Sequence, residues 1–274
     1  MKKVVILHSI ISDGRIDNIL NLINLSKNDT DERKEIRLDW SKVRDISPAG
    51  LAILSCLFDN FAEQKMRVTN IHIAKKLLCY PTIQHFKNIQ QYTCIPNPSV
   101  HDYEDTMMIL RGRQGSLYPF FTEHIFGKFS TLCSEELLYD ASLIINELMQ
   151  NSVDHSTSER YYLYAGIWGK EFHVGVLDMG ITVPAKLEQK YKCDDDLAYL
   201  NLALKKGSST RRVRPGGLGL NYFFELLKNS GGKLTIVSRG AQIRRYFTTR
   251  RSQKNILKYP LSGTWCFARF PLED

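Results

Sequence analysis

The stretch LIINELMQNSVDHS, residues 143–156, interrupts an apolar run with side chains that could do chemistry. Glu147 and Asn151 are four residues apart and Asp154 follows three later, so a helix would project all three from one side. That side lies about 100° round the helix from Leu148, at the seam between the apolar row and the outside. A carboxylate and a carboxamide in this position can face a cleft. The same pattern fits the polar face of a surface helix, which the stretch alone favours.

A second candidate is VLDMGITVP, residues 176–184. Asp178 ends an apolar strand-like run, and Gly180 follows two residues later, where the backbone can approach a ligand closely. A carboxylate there can accept a hydrogen bond from an exocyclic amine such as that of adenine. A simple turn after a strand is the alternative, and it is the better interpretation of this segment taken alone.

The third candidate is RPGGLGLNYFFELL, residues 214–227, in which Gly216, Gly217 and Gly219 precede an apolar helical pattern. Backbone N–H groups at a helix start, together with the positive end of the helix dipole, can hold phosphate oxygens. Neither GxxxxGK[ST] nor a GxGxxG behind a strand is present, so a P-loop and a Rossmann site are not supported. Ordinary turn chemistry is the alternative.

Together, in this order and at these spacings, the three segments resemble the nucleotide-binding domain of the GHKL superfamily, which includes gyrase, Hsp90-type chaperones, histidine kinases and MutL. ELMQNSVDH resembles the N box, DMGITVP the first glycine box, GGLGL the second, and SGTWCFARFP the strand that closes the adenine pocket. The resemblance covers roughly residues 105–274. It implies a two-layer α/β sandwich with a mixed sheet, and ATP and Mg²⁺ as ligands.

The resemblance also implies a role for each matching residue. Glu147 would be the general base, and Asn151 would coordinate the Mg²⁺ that bridges the phosphates. Residues 205–215 would form a mobile basic lid. The nucleotide contacts would come from the adenine-side residues Asp178, Gly180 and Thr264 and from the phosphate-side residues Gly217, Leu218, Gly219 and Leu220.

One residue departs from the family pattern, because Thr182 stands where the first glycine box usually has its second glycine. A side chain there could alter the lid hinge or crowd the nucleotide. Sensor histidine kinases usually carry asparagine or histidine at the position of Glu147 and need a phosphoacceptor histidine on paired helices, which HDYED at 101–105 does not supply. A glutamate suits ATP hydrolysis or serine phosphorylation, as in anti-sigma-factor kinases. Kinase, hydrolase and catalytically silent pseudo-ATPase remain open.

Residues 1–92 alternate strand-like and helix-like patterns, which predicts a small α/β layer. The segment VRDISPAGLAILSCLFDNFAEQKMRVTNIHI resembles the STAS domain of anti-sigma-factor antagonists, with Ser47 as helix cap. The position of the usual phosphoacceptor serine falls at Ala49, which has no hydroxyl, so the resemblance implies a docking or regulatory role toward a protein partner. We expect residues 93–104 to be a linker and the whole chain to be a two-domain α/β protein.

Composition bounds the remaining expectations. A chain of 274 residues with 43% hydrophobic and 24% charged residues is typical of a soluble globular protein, and no run of about 18 apolar residues predicts a membrane span. The six cysteines are scattered without a CxxC pair, which argues against a zinc site or a disulfide framework and favours the reducing cytoplasm. A dimer is compatible with the GHKL resemblance, although no residue pattern predicts one.

The charge is uneven. From Lys205 to Lys258 there are fourteen Lys or Arg residues and one acid, Glu225, so this segment has a net charge of +13. The rest of the chain has a net charge of −5, and the two add up to +8. Such a block indicates a polyanionic ligand. It keeps open an alternative function from another class, a nucleic-acid-binding module that uses the ATP fold as a scaffold.

Overall fold

The computed structural model describes residues 2–28, 35–79, 100–103, 107–113, 116–155, 160–205 and 219–272. The chain is of the mixed α/β type that the sequence predicts. In chain order its elements are β1 (Lys2–Ile6), β2 (Ile10–Ile11), α1 (Asp17–Asn28), β3 (Glu35–Asp39), β4 (Asp45–Ile46), α2 (Pro48–Glu63), β5 (Arg67–Ile71), a 3₁₀ helix (Lys75–Cys79), β6 (Val100–Tyr103), β7 (Met107–Arg113), α3 (Phe120–Phe129), α4 (Glu135–His155), β8 (Arg160–Trp168), β9 (Glu171–Asp178), α5 (Val183–Leu187), α6 (Asp196–Ala203), α7 (Gly219–Asn229), β10 (Lys233–Tyr246) and β11 (Arg251–Pro271).

The N-terminal layer is a three-stranded parallel sheet in the order β1-β3-β5, with a short parallel pair β2-β4 beside it. Parallel neighbours need crossover connections, and α1 and α2 lie in these connections. The sequence predicts strands at KKVVILHSI, EIRLDWSKV and RVTNIHI, and β1, β3 and β5 confirm them. Helix α1 was not predicted, although Ile16, Ile19, Leu20 and Ile23 recur at helical spacing and are buried.

Helix α2 begins as its sequence predicts. The side chain of Ser47 accepts a hydrogen bond from the Gly50 N–H at 3.1 Å, and Pro48 stands in the first turn, where a missing N–H costs nothing. Every residue from Pro48 to Phe61 is buried. A helix that is buried all round lies inside a core rather than on its surface. Here α2 lies between the parallel sheet and a second, larger sheet.

The larger sheet has six strands in the order β10-β11-β9-β8-β7-β6, and every neighbouring pair is antiparallel. The predicted mixed sheet is therefore wrong for the described residues. Strands β9 and β10 do run in the same direction, but β11 lies between them. The segment RYYLYAGIWGKEFHVGVLDMG predicts a β-hairpin that turns at Gly169-Lys170. This prediction is confirmed, because β8 and β9 pair directly across the turn and Gly169 has the positive φ of 63° that the turn requires.

Both faces of the six-stranded sheet are covered. Helices α1 and α2 pack on one face, where the buried residues of the N-terminal layer and of the sheet form a single apolar cluster. Helices α3, α4, α6 and α7 enter the apolar cluster of the opposite face. The layers are thus parallel sheet, two helices, antiparallel sheet and a second set of helices. Residues 100–103, inside the predicted linker 93–104, form the edge strand β6.

Polar contacts join the N-terminal layer to the large sheet. Acids from the N-terminal layer meet donors on β8 and β11. The buried Tyr162 hydroxyl donates to Asp59 at 2.7 Å, and the indole N–H of Trp168 donates to Asp45 at 2.9 Å. Further ion pairs join Arg160 to Glu63 and Arg269 to Asp13. These contacts fix the N-terminal layer in one register on the back of the sheet.

Strand β10 doubles back on itself at Arg239 and Gly240. Fourteen extended residues would span about 46 Å, yet the Phe247 N–H donates to the Gly232 carbonyl at 3.1 Å, so the two ends of β10 are neighbours. Arg239 has a positive φ of 50°, and the register with β11 shifts at the same place.

Among the described residues, no helix is both long and apolar enough to cross a membrane.

Candidate functional site

The site residues predicted on the strands lie on the sheet face that carries α4. Side chains alternate along a strand, and Phe172, Val174 and Val176 of β9 enter the cluster under α4, so Asp178 ends the same row. Thr264 of β11 is the direct register partner of Asp178. Directly paired residues share a face of the sheet, and Asp178 and Thr264 are therefore neighbours there.

Asp178 is nearly buried, and its carboxylate accepts a hydrogen bond from the Gly180 N–H at 2.9 Å. This bond fixes the carboxylate at the end of β9. A carboxylate has lone pairs for several donors, so the bond from Gly180 does not by itself exclude a bond from a ligand amine. Burial, and then the negative charge of Asp178, raise the pKa of the Cys266 thiol, which stays protonated and unreactive beside the site.

Gly263 brings β11 close to the backbone of Asp178 and Met179. Its φ is 133°, which side-chain-bearing residues rarely adopt, and an added Cβ would overlap the carbonyl oxygen of Asp178 and crowd the Cα of Met179. Only glycine fits this position. The sequence interpretation noted the Gly-Thr pair of SGTW but assigned a site role to Thr264 alone.

Ser238 of β10 joins three parts of the site through one buried hydroxyl. It accepts from the Val183 N–H at 2.9 Å, lies 2.9 Å from the Gly263 carbonyl and lies 3.0 Å from the Thr264 hydroxyl. A hydroxyl has one proton, so when Ser238 donates to Gly263 the Thr264 hydroxyl donates to Ser238. The oxygen of Thr264 then keeps acceptor capacity for a ligand donor. No sequence signal pointed to Ser238.

Thr182, the departure from the family pattern, is the N-cap of α5. Its φ is −78°, so glycine is not required, and its hydroxyl accepts from the Ala185 N–H at 3.2 Å. Pro184 in the first turn completes an ordinary helix start. The side chain is therefore used locally to begin α5. The lid residues 206–215, which Thr182 was expected to affect, lie outside the described residues.

Glu147 and Asn151 lie on α4, which packs against β8, β9 and α7. Both are partly exposed, while Leu148 beside them is buried, so they occupy the seam that the sequence predicts. The Asn151 amide donates to Glu147 at 3.5 Å. Because the amide nitrogen of Asn151 faces Glu147, the amide oxygen is the atom that a cation can bind. The side chain of Asp154 lies outside the described part.

The second glycine box is described only in part, since Gly217 and Leu218 lie outside the described residues. Gly219 is the first residue of α7, as predicted, and Leu220 packs against the core under α4. The Asn221 amide donates to the Leu204 carbonyl at 2.9 Å and ties the first turn of α7 to the end of α6. The start of α7 is thus fixed from two sides.

An arginine clamp lies next to Ser238. Arg239 binds Asp196 at the start of α6 and Glu188 after α5, and the Gly240 N–H donates to Asp196 at 2.8 Å. Burial disfavours the charge on Asp196, but the bonds from Arg239 and Gly240 outweigh it and lower the pKa of Asp196. The clamp holds α5 and α6 against the middle of β10, next to Ser238.

Across the described residues, no three His, Cys, Asp or Glu side chains converge as metal ligands. The chain matches no protein-family model, and no curated protein matches it significantly. The GHKL and STAS resemblances therefore stay predictions that depend on the residues themselves.

Proposed function

We propose that the chain binds Mg-ATP on the α4 face of the six-stranded sheet, as a signalling protein with GHKL-type nucleotide chemistry. The observation that carries the proposal is the pairing of Asp178 with Thr264 on the face that also carries Glu147 and Asn151. The described parts of the three segments, each ambiguous in the sequence, thus border one face. Their order along the chain is the order of the GHKL boxes.

The adenine end is assigned to Asp178 and Thr264. A nearly buried carboxylate, held by the Gly180 N–H, accepts from the exocyclic amine of adenine and has no proton to offer a carbonyl. Guanine carries a carbonyl oxygen at the corresponding ring position, so two acceptors would face each other. The proposal therefore includes a preference for ATP over GTP.

The phosphate end is assigned to the start of α7 and to Asn151. The backbone N–H groups at Gly219 and Leu220 point out of the helix start, where anions are favoured. Bound Mg²⁺ would supply charge neutralisation between the phosphates, with the Asn151 amide oxygen as the protein's ligand. Glu147, one turn before Asn151, is the group that orients and deprotonates an attacking water or hydroxyl.

The N-terminal layer is proposed to dock a protein partner and not to serve as phosphoacceptor. Ser47 is buried with its hydroxyl used as a helix cap, and Ala49 and Gly50 are buried beside it. A kinase could reach none of these positions in the folded chain. The proposal includes a cytoplasmic location. The four cysteines whose side chains are described, Cys56, Cys133, Cys193 and Cys266, are not in disulfide bonds.

The test is to measure Mg-ATP affinity by calorimetry and γ-phosphate release or transfer for wild type, Glu147→Ala and Asn151→Ala. Loss of a general base should slow turnover by about 10²- to 10⁴-fold with little change in affinity. Loss of Asn151 should weaken Mg-ATP binding by about 10-fold or more. Exposed positions on the same helix, Glu136→Ala and Asn146→Ala, are the matched controls.

Three outcomes separate the alternatives. Labelled phosphate on a second protein in a cell extract identifies a kinase, and free phosphate alone identifies a hydrolase. Tight Mg-ATP binding without turnover in wild type identifies a nucleotide-gated binder. Wild type without measurable affinity for Mg-ATP contradicts the proposal.

A further inference from the structure

The outer part of the β10–β11 pair carries cations that the nucleotide site does not use. We call residues 241–258, from Ala241 of β10 through the turn to Lys258 of β11, the basic ribbon. From residue 239 to residue 262 the sequence contains no acid and seven cations, Arg239, Arg244, Arg245, Arg250, Arg251, Lys254 and Lys258. Only some of them have a structural role.

Three of the seven cations are engaged within the fold. Arg239 binds Asp196 and Glu188, Arg244 donates to the carbonyls of Asp13 and Gly14, and Arg245 bonds to Ser252 and Asn201. The other four, Arg250, Arg251, Lys254 and Lys258, are exposed and have no acidic partner among the described residues. Their charge is available to a partner.

The four free cations surround one outer strand. Arg250 lies in the turn with a φ of 53°, and Arg251 and Lys254 project from opposite faces of β11 because side chains alternate. The ammonium of Lys258 lies 5.4 Å from the centre of the Tyr259 ring. Ile256, which lies between Lys254 and Lys258 in the sequence, is 67% exposed. The ribbon is thus an extended basic rod with apolar and aromatic side chains interspersed.

The two cations at the ribbon turn, Arg250 and Arg251, lie away from the proposed triphosphate. The ribbon turn docks at the C-terminal end of α7, where Thr248 donates to the Gly231 carbonyl and Phe247 packs edge-on against Phe224. The phosphates would lie at the opposite end of α7. An eleven-residue helix is about 16 Å long, which separates the two positions.

Lysines on an edge strand also prevent unwanted strand pairing. Protection of an edge requires few charges, however, and protein surfaces normally mix both signs. The ribbon has four exposed cations and no acid, in a chain whose residues outside 205–258 carry −5. Concentration of one sign on one strand is the arrangement that attracts a polyanion.

We propose that the basic ribbon binds the phosphate backbone of nucleic acid without reading its sequence. The proposal does not rest on Mg-ATP binding and stands if that function fails. Four phosphate contacts give a slope of about −3.6 for log K against log salt on duplex DNA, so affinity should fall about 150-fold between about 50 and 200 mM salt.

The test is fluorescence anisotropy of a short labelled DNA duplex of arbitrary sequence, titrated with the full chain at several salt concentrations. A variant with Arg250→Gln, Arg251→Gln, Lys254→Gln and Lys258→Gln is compared with a control of equal charge change. The control replaces Lys3, Lys42, Arg44 and Arg67, four exposed cations of the N-terminal layer, by glutamine. A single-stranded RNA of equal length shows whether ribose and strandedness matter.

The ribbon variant should make the salt slope less negative by about 3.6, and the control variant should leave it within about 1 of wild type. If the fourfold variant does not fold, Lys254→Gln with Lys258→Gln should change the slope by about half as much. Equal effects of ribbon and control variants, or binding by wild type that salt does not weaken, would overturn the proposal. Polyglutamate that competes as well as unlabelled duplex would indicate an acidic protein partner instead, and would also overturn it.

Discussion

Replacement of Asp13 by alanine tests the way in which the N-terminal layer is joined to the large sheet. Asp13 is 2% exposed. It forms an ion pair with Arg269 of β11 and accepts from the Thr235 hydroxyl of β10 at 3.4 Å. Burial disfavours the charge on Arg269, but Asp13 and Glu171 outweigh it and raise the pKa of the guanidinium. Without Asp13, the guanidinium of Arg269 stays under the N-terminal layer with only one of its two acidic partners, Glu171.

The size of the effect follows from what remains at the site. Removing one partner of a buried ion pair costs about 3–5 kcal/mol. Arg269 keeps Glu171 at 3.3 Å, and its side chain is 19% exposed, so the lower end applies. We expect Asp13→Ala to lower the free energy of unfolding by about 3 kcal/mol. Asp17→Ala, an exposed acid in the first turn of α1, should cost less than about 1 kcal/mol.

The measurement is urea unfolding followed by both far-UV circular dichroism and tryptophan fluorescence. Trp40 of the N-terminal layer and Trp265 of β11 are fully buried in the same apolar cluster, so both probes should give one coincident transition. A loss below about 1 kcal/mol for Asp13→Ala, or two separate transitions in wild type, would refute the shared core.

Three further changes test the site and the interface. Gly263→Ala should displace β11 from Asp178 and weaken Mg-ATP binding at least about 10-fold. The control Gly169→Ala also has a positive φ but has open space around it, so it should cost about 1–2 kcal/mol of stability and leave binding unchanged. Ser238→Ala leaves the Val183 N–H without its acceptor and should cost about 1–3 kcal/mol in urea unfolding; a neutral result contradicts its bridging role. Burial opposes ionisation of Glu171, but His173, Lys233 and Arg269 outweigh it and lower the pKa of Glu171 from 4.5 to about 2. The contribution of the Glu171 charge to stability is therefore complete above pH 4.5 and is lost as pH falls toward 2. Glu171→Gln should flatten stability against pH in that window, and an unchanged acid limb would count against this ion cluster.

Local signals predicted the local structure well. Ser47 followed by Pro48 marked the start of α2, Gly169-Lys170 marked a hairpin, and Glu147 lies at the seam of α4 as helical spacing required. In each case residues within one or two turns decide the outcome. Thr182 is another local signal, since a threonine shortly before Pro184 is typical of an N-cap. The GHKL resemblance led us to interpret Thr182 as a replaced glycine instead.

Long-range register decided what sequence reasoning could not supply. Asp59 in the middle of α2 has no local explanation, because its partner Tyr162 is 103 residues away. The importance of Ser238 and Gly263 depends on the pairing of β9, β10 and β11, which brings three separate segments to one place. The mixed sheet was an expectation taken from the resemblance, and the actual order places β11 between the two strands that run in the same direction.

The most direct test of the nucleotide site is the ratio of ATP to GTP affinity, measured by calorimetry in the presence of Mg²⁺ for wild type and Asp178→Asn. A carboxylate that accepts from the adenine amine should make wild type prefer ATP by about 10-fold or more, and an amide, which can also donate, should remove most of that preference. Equal affinities of wild type for both nucleotides, or a preference that Asp178→Asn leaves intact, would contradict the assignment of Asp178 and with it the proposed adenine site.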